Sequence, residues 1–257
     1  MKKSDSPTVI KLENISKTYK ISQHRSDSIR SLIPNLIKKS QSQEILALKG
    51  IDLEIKQGEC VGIIGRNGSG KSTLMNIMME SIRPDQGGKV SSLGKMIRLE
   101  LGMGVDINIS ARDNIYLNGS VLGLSFRQIG AVFNEIVSFA GIENFVDTPV
   151  KFFSKGMKSR LLFSIAMFAQ ADIFLLDEFF GGVGDKDFKR KSDIAFREKI
   201  LNGKTIVIIS HSFGIIKRHC QRCIWLDEGM VRLSGETKQV LKEYRIHKIS
   251  LKNKKTE

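Results

Sequence analysis

Hydrophobic residues along this chain group into short continuous runs that alternate with segments of helical spacing. The continuous runs lie at 60–64, 173–176 and 205–209. Such runs are typical of strands covered on both faces, as in a parallel sheet with helices packed against it. Two earlier segments, 8–19 and 47–55, alternate apolar and polar residues, which predicts strands with one solvent-facing side. The pattern therefore predicts an α/β fold, with a parallel sheet as its core and an antiparallel β layer before it.

Helical spacing begins at residue 111 and predicts a helical subdomain over about 102–165. Ser125 is a suitable N-cap for a helix with one apolar face. That face consists of Ile129, Val132, Phe133, Ile136 and Val137. Another helix follows Ser154, and its inward positions are predicted to be Leu161, Leu162, Ile165 and Phe168. The remaining predicted elements are a strand at 89–101, a basic helix at 187–199 and a hairpin with strands 223–226 and 230–233.

A basic amphipathic segment is inserted at 20–44, between the first two predicted strands. Its apolar residues recur at helical spacing, at Ile29, Leu32, Ile33, Leu36 and Ile37. Lysine and arginine lie among them, and Pro34 is expected to kink or restart the helix. Such a helix fits a membrane surface, and it fits equally a helix that covers the sheet.

The positive charge of the chain is concentrated at its two ends. The net charge is +14, and residues 2–39 and 238–257 carry surpluses of six and five. Basic ends suit nucleic acid or an anionic membrane surface, and they suit equally solvated tails.

No apolar run approaches the ~20 residues of a membrane-spanning helix, and the N-terminus does not have the pattern of a secretory signal. We therefore expect a cytosolic protein that can sit on a membrane protein.

One glycine-rich stretch predicts a nucleotide site. Its residues are Gly65, Arg66, Asn67, Gly68, Ser69, Gly70, Lys71, Ser72 and Thr73, which match G-x-x-x-x-G-K-S/T, the Walker A phosphate loop. An apolar strand precedes this loop and a helix-forming segment follows it, as the motif requires. Backbone N–H groups and the helix N-terminus attract phosphate. We expect Lys71 to contact the β- and γ-phosphates of a nucleoside triphosphate, and the Ser72 hydroxyl to bind magnesium.

Two more strand ends carry groups suited to phosphoryl transfer. Asp177 and Glu178 follow the apolar run at 173–176, which is the pattern of a Walker B element. Asp177 is expected to hold magnesium, and Glu178 to polarise the attacking water. His211 ends the next strand and can contact the γ-phosphate or the water. Because the carboxyl ends of parallel strands share one edge, these groups should meet the phosphate loop there.

The cysteines do not indicate a metal site. Cys60 lies in an apolar strand and is expected to be a core residue. Cys220 and Cys223 form a C-x-x-C pair, but no second pair completes a zinc site. His219 would add one ligand at cramped spacing.

Taken in order, these motifs resemble the ABC ATPases. Residues 153–157, Phe-Ser-Lys-Gly-Met, look like a variant of the family's L-S-G-G-Q signature, which implies that Ser154 and Gly156 bind the γ-phosphate held by an opposite subunit. Tyr19 matches the aromatic residue that stacks on adenine. Asp185 matches the aspartate that couples the two sites of a dimer. The resemblance covers roughly residues 8–240 and implies a RecA-like sheet core, bound ATP and Mg²⁺, and Lys71, Glu178 and His211 as catalytic residues.

A narrower resemblance is to the ATPase subunits that export bacterial polysaccharides. It is carried by residues 99–102, 112–119, 153–161 and 182–185, and by the insertion after Tyr19. Glu100 stands where most ABC ATPases carry a nucleotide-site glutamine, a change that these exporters share. The resemblance implies export of O-antigen, capsule or teichoic acid. Residues 241–257 are expected to be a basic tail, without the carbohydrate-binding domain of longer exporters.

The resemblance also implies partners and a location. A chain with one Walker A motif and one signature needs a second copy to complete a site, so we expect a homodimer. Integral membrane permease subunits would receive it at the cytoplasmic face of the inner membrane, against residues 100–125. The alternative is a soluble ABC ATPase acting on nucleic acid or ribosomes, but no second cassette, long coiled coil or base-reading element is evident, so no nucleic acid is expected. A GTPase or nucleotide kinase would leave residues 154–157 unexplained.

Overall fold

The structure, a computed structural model, describes residues 6–22, 42–100, 104–179 and 185–253. The strands of this part of the chain are β1 (Thr8–Ser22), β2 (Ser42–Lys56), β3 (Cys60–Ile64), β4 (Lys89–Ser92), β5 (Met96–Glu100), β6 (Ile173–Asp177), β7 (Thr205–Ile209), β8 (Arg222–Asp227) and β9 (Met230–Glu236). The α-helices are α1 (Lys71–Met78), α2 (Ala111–Val121), α3 (Phe126–Ala140), α4 (Lys155–Ala166), α5 (Lys186–Lys199), α6 (Phe213–His219) and α7 (Thr237–Asn253).

Six strands form the central sheet, in the order β5-β6-β7-β3-β8-β9. The strands from β5 to β8 pair in parallel, and β9 pairs antiparallel with β8. Parallel strands end at a common carboxyl edge. The chain therefore brings the phosphate loop, the Asp177–Glu178 pair and His211 to one edge, after β3, β6 and β7 respectively.

A smaller antiparallel sheet of order β2-β1-β4 lies beside the central one. The predicted α/β fold with an antiparallel layer is thus confirmed. The two long strands exceed their predicted lengths, since β1 continues to Ser22 and β2 already begins at Ser42. The amphipathic helix predicted at 29–37 lies outside the described residues.

Side chains of the central strands alternate between two hydrophobic cores, as the two-residue period of a strand requires. Ile63, Leu175 and Val207 point into the core shared with the small sheet and α1. Ile64, Leu176 and Ile208 point into the opposite core, which α4, α5 and α7 cover. Both faces of the sheet are therefore buried, which explains the continuous apolar runs.

Helices α2, α3 and α4 build the helical subdomain around a third core. The predicted cap of α3 is confirmed: Gln128 N donates to Ser125 Oγ at 3.3 Å, and Ser125 N donates to Gln128 Oε1 at 2.8 Å. The inward face predicted for α4 is only partly correct. Leu161 and Ile165 are buried, whereas Leu162 and Phe168 are half-buried.

The single strand predicted at 89–101 is wrong, because this segment crosses from one sheet to the other. Strand β4 pairs with β1 in the small sheet, and β5 pairs with β6 in the central sheet. Leu93, Gly94 and Lys95 make the crossing. Each half is strand-like by itself, so periodicity did not locate the break.

The basic tail expected at 241–257 is also wrong in its first part, because α7 continues to Asn253. Val240, Leu241 and Tyr244 are buried, and the Tyr244 ring lies edge-on to Trp225 at 5.3 Å between centroids. These three residues lie in the same core as Cys223 and Trp225 of β8, so the helix packs against the central sheet.

Candidate functional site

A cleft of about 750 Å³ opens at the carboxyl edge of the central sheet. The predicted site residues that line it are Tyr19, Asn67, Gly68, Gly70, Lys71, Ser72, Thr73, Asp177, Glu178 and His211. Residues that the sequence did not single out line it as well, namely Ile45, Leu46, Ala47, Lys49, Ile209, Glu228 and Gly229. Gly65, Arg66 and Ser69 belong to the same loop but do not line the cleft. The fold thus joins three motifs that lie far apart in sequence.

The glycines of the phosphate loop are required by close backbone contacts. Gly70 has φ 100°, and a Cβ there would lie 2.6 Å from the carbonyl oxygen of Ala47. A Cβ at Gly65 would lie 2.2 Å from the carbonyl oxygen of Leu226. The Ser69 hydroxyl is buried and has no hydrogen-bond partner among the described residues. Helix α1 begins at Lys71, so its N-terminal N–H groups face the loop, which suits an anion.

Lys71 is buried at the base of the cleft. Its Nζ donates to the carbonyl oxygens of Gly65 at 3.0 Å and Arg66 at 2.8 Å. Burial lowers the pKa of Lys71, and the nearby carboxylates of Glu178 and Asp177 oppose that effect. The two carbonyl groups therefore hold the lysine beside the loop, where it can contact a bound phosphate.

Glu178 and His211 meet at the open side of the same cleft. Glu178 has φ 47°, a left-handed conformation that is uncommon for residues other than glycine. The backbone N–H of His211 donates to Glu178 Oε1 at 2.7 Å, and His211 Nε2 lies 3.9 Å from that oxygen. Because both side chains are exposed, the carboxylate is oriented by the N–H group and remains accessible to water.

Arg98 contacts this site through Asp177 without lining the cleft itself, and the sequence analysis missed it. Its Nη2 lies 2.7 Å from Asp177 Oδ2 and 2.9 Å from Glu100 Oε2, and its Nη1 donates to Asn76 Oδ1 at 2.9 Å. Glu100 itself does not line the cleft. A positive charge inside the apolar run Met96–Leu99 was the available signal, but the pairing with Asp177 depends on the β5–β6 register.

Tyr19, the residue predicted to stack on adenine, lies on the small sheet. Tyr19 is opposite Ile45 in the β1–β2 ladder and is 38% exposed. Lys17 Nζ lies 5.9 Å from the centre of the Tyr19 ring. The turn at Gly229 closes this side, since Gly229 N donates to Ser69 O at 3.2 Å and Gly229 O accepts from Lys49 N at 2.9 Å.

The predicted signature residues Ser154 and Gly156, and the predicted coupling residue Asp185, also lie outside the cleft. Ser154 caps α4, with its Oγ accepting from Met157 N at 3.1 Å. Asp185 caps α5, and its carboxylate accepts from Phe188 N at 2.9 Å. That N–H group is the main reason why the pKa of Asp185 is lowered. A single copy of the chain therefore does not bring the signature residues to its own phosphate loop.

The residues present fit a magnesium ion held partly by nucleotide phosphates. Ser72 and Asp177 offer oxygen ligands in the cleft, and oxygens are what Mg²⁺ prefers. Within the described ranges, no group of three or more His, Cys, Asp or Glu side chains is placed to hold a metal. A magnesium site usually relies on one or two carboxylates plus substrate phosphates.

The cysteines are buried and reduced. Cys60 Sγ and Cys220 Sγ lie 3.7 Å apart. The hydrogen bond with Cys60, together with burial, raises the pKa of the Cys220 thiol, and burial raises the pKa of Cys223 to about 12. Thiols in such surroundings are poor nucleophiles at neutral pH, so the C-x-x-C pair is part of the core.

Comparison with known families and proteins agrees with this geometry. A family model described as "ABC transporter" matches residues 48–181. The teichoic acids export ATP-binding protein TagH of Enterococcus faecalis is 37% identical over 239 residues, 92% of this chain and 52% of that protein. The O-antigen export system ATP-binding protein RfbB of Myxococcus xanthus is 40% identical over 215 residues, 80% of this chain and 48% of that protein. The chain thus spans about half the length of these two relatives.

Two further comparisons extend this result. The ABC transporter protein AbcA of Aeromonas salmonicida is 36% identical over 245 residues, 95% of this chain and 77% of that protein. Among solved structures, a dimeric ATP-binding cassette, MJ0796, bound to ADP and Pi in a post-hydrolysis state, superposes with a TM-score of 0.68. It is 24% identical, and the match covers 89% of this chain and 98% of that one. In the part of the chain that the structure describes, no helix has both the length and the apolar character needed to cross a membrane.

Proposed function

Since this chain belongs to the ABC transporter family, we propose that it is the ATP-hydrolysing subunit of an exporter of a lipid-linked cell-surface polysaccharide. The observation that carries the ATPase assignment is the cleft in which the phosphate loop, Asp177, Glu178 and His211 converge. The names of the relatives in Enterococcus faecalis and Myxococcus xanthus support O-antigen or teichoic acid as the class of cargo.

Several residues of the cleft have a part in the proposed hydrolysis. The loop N–H groups and Lys71 bind the β- and γ-phosphates, and Tyr19 stacks on adenine. Ser72 and Asp177 would hold Mg²⁺, which neutralises charge on the transferred phosphoryl group. Glu178 accepts a hydrogen bond from the attacking water, and the N–H of His211 fixes the carboxylate in that orientation. His211 also lines the cleft, and its side chain is proposed to contact the γ-phosphate.

A second copy of the chain would complete the site. Ser154, Gly156 and Asp185 lie outside the cleft of their own chain, which supports a homodimer in which Ser154 and Gly156 reach the partner's γ-phosphate. The dimer would work on integral permease subunits at the cytoplasmic face of the membrane. Exposed Leu117, Val121 and Phe126 support the helical subdomain as the surface that receives the permease.

Glu178→Gln tests the catalytic assignment. The amide keeps the size of the side chain but polarises water poorly, so ATP turnover should fall about 100-fold or more, while ATP still binds. The measurement is phosphate release together with ATP binding. Glu228→Gln is the matched control, because Glu228 also lines the cleft and has φ 47° but has no proposed role. Wild-type turnover in Glu178→Gln would remove this residue from catalysis.

The cargo assignment needs a separate test. Genes for a six-helix membrane protein and for glycosyltransferases beside the gene of this chain would support polysaccharide export. A neighbouring permease of importer type, or no permease, would contradict it.

A further inference from the structure

Arg98 connects three elements next to Asp177, which lines the cleft. Its guanidinium binds Asp177 at the end of β6, Glu100 at the end of β5 and Asn76 on α1, all within 2.9 Å. Asp177 and Glu100 are direct neighbours in the β5–β6 ladder. The guanidinium thus lies between two carboxylates of adjacent strands, and Asn76 holds it there from the helix that follows the phosphate loop.

The surroundings make this charge effective. The side chains of Arg98 and Asp177 are only 20% and 14% exposed, whereas Glu100 is 40% exposed. Arg98 Nε is buried and has no hydrogen-bond partner among the described residues. Charges in such partly buried positions are screened much less than charges in water. The positive charge of Arg98 must therefore influence the binding of any second cation to the Asp177 carboxylate.

We propose that Arg98 and Glu100 together set the magnesium affinity of Asp177. Arg98 weakens magnesium binding, because it places a positive charge 2.7 Å from one carboxylate oxygen. Glu100 offsets this effect, because its carboxylate forms an ion pair with the same guanidinium and neutralises part of the positive charge. The inference rests on the proposed function, since it requires Asp177 to take part in binding the metal of Mg–ATP.

The ion pair with Arg98 explains how Glu100 can lie near a site that binds a polyphosphate. A carboxylate at the end of β5 adds negative charge beside Asp177, and Arg98 balances it. If Arg98 only tied the strands together, its neutral replacement would loosen Asp177 and weaken metal binding. The two explanations therefore predict opposite signs for the same substitution.

The test measures magnesium binding without turnover. A fluorescent ATP analogue is bound to the full chain carrying Glu178→Gln, and MgCl2 is titrated from an EDTA-buffered start. Arg98→Met should lower the magnesium midpoint on the order of tenfold, because charges a few Å apart at an effective dielectric constant of ~20 interact strongly. Glu100→Gln should raise the midpoint by a smaller factor. Binding of the analogue in EDTA is measured for each variant as its metal-free baseline.

Two further variants keep the outcomes distinct. Arg98→Lys retains the positive charge without the planar fork, so its midpoint should stay close to that of the parent. Asp177→Asn should abolish the magnesium response, and if it does not, the proposed metal role of Asp177 fails independently of Arg98. A higher or unchanged midpoint in folded Arg98→Met would overturn the inference. If Arg98→Met does not fold, Glu100→Gln decides, since an unchanged or lower midpoint there also overturns it.

Discussion

His219 is a buried histidine that lies among charged groups. Its Nε2 lies 3.0 Å from Asp193 Oδ1, and its ring lies edge-on to Phe196. Burial lowers the pKa of His219, while Asp193 acts to raise it and the nearby Arg197 and Arg218 act to lower it. The net result is a native-state pKa below the ordinary value of 6.5.

This pKa shift predicts acid sensitivity. Because the unfolded chain takes up the proton more readily than the native state, the free energy of unfolding should fall as the pH drops below about 6.5, down to the native pKa. His219→Gln should remove part of that fall. Melting temperatures between pH 7.5 and pH 5 check this, with His211→Gln as the control because His211 is exposed. An equal loss in wild type and His219→Gln would contradict the assignment.

At the residue scale, motifs that are local in sequence could be predicted and pairings across strands could not. The phosphate loop, Asp177, Glu178 and His211 are read directly from short patterns, and the topology of a parallel sheet explains why they meet. Arg98 binds a carboxylate that is 79 residues away. Only the pairing of β5 with β6 creates that contact, so the local pattern gave an arginine in a strand and no partner for it.

Among the elements, α7 differs most from what the sequence predicted. The sequence suggested a solvated tail after residue 240, because seven Lys and Arg lie in residues 238–257. The contacts of Val240, Leu241 and Tyr244 make the helix part of the larger core instead. Few apolar residues were needed, and their spacing was too sparse to distinguish a docked helix from a free one.

Leu241→Ala should therefore destabilise the whole cassette. Leu241 is 4% exposed, and removing a buried leucine side chain costs about 2–5 kcal/mol. Ile246→Ala is the matched control on the same helix, since Ile246 is 52% exposed and should cost within about 0.5 kcal/mol. Urea unfolding gives both values. Similar losses in the two variants would mean that α7 is not packed as described.

For the whole molecule, the main consequence is that the proposed site is divided between two copies. Lys71 lies in the cleft, while Ser154 caps α4 of the helical subdomain, outside the cleft. Lys71→Ala disables the phosphate loop of its own chain, and Ser154→Arg disables the signature offered to the partner. Each variant alone has no intact site in a homodimer.

Mixing the two variants should restore activity. A mixed dimer pairs the intact phosphate loop of one chain with the intact signature of the other, so the rate should recover to roughly a quarter of wild type if half of the dimers are mixed. ATPase assays of equimolar mixtures measure this. The control mixes Lys71→Ala with a Lys71→Ala and Ser154→Arg double variant, which leaves no complete site. Absence of recovery in verified mixed dimers would argue against sharing.

The turn at Gly229 also links folding to ligand binding. It is hydrogen-bonded on one side to the phosphate loop, at Ser69, and on the other side to β2, at Lys49. Local opening of this turn would break both hydrogen bonds at once, so we expect the small sheet and the phosphate loop to unfold as one cooperative unit. A nucleotide that binds only the closed form protects that unit by mass action. The amide hydrogens of the small sheet should then exchange more slowly when a nucleotide fills the cleft than when the cleft is empty.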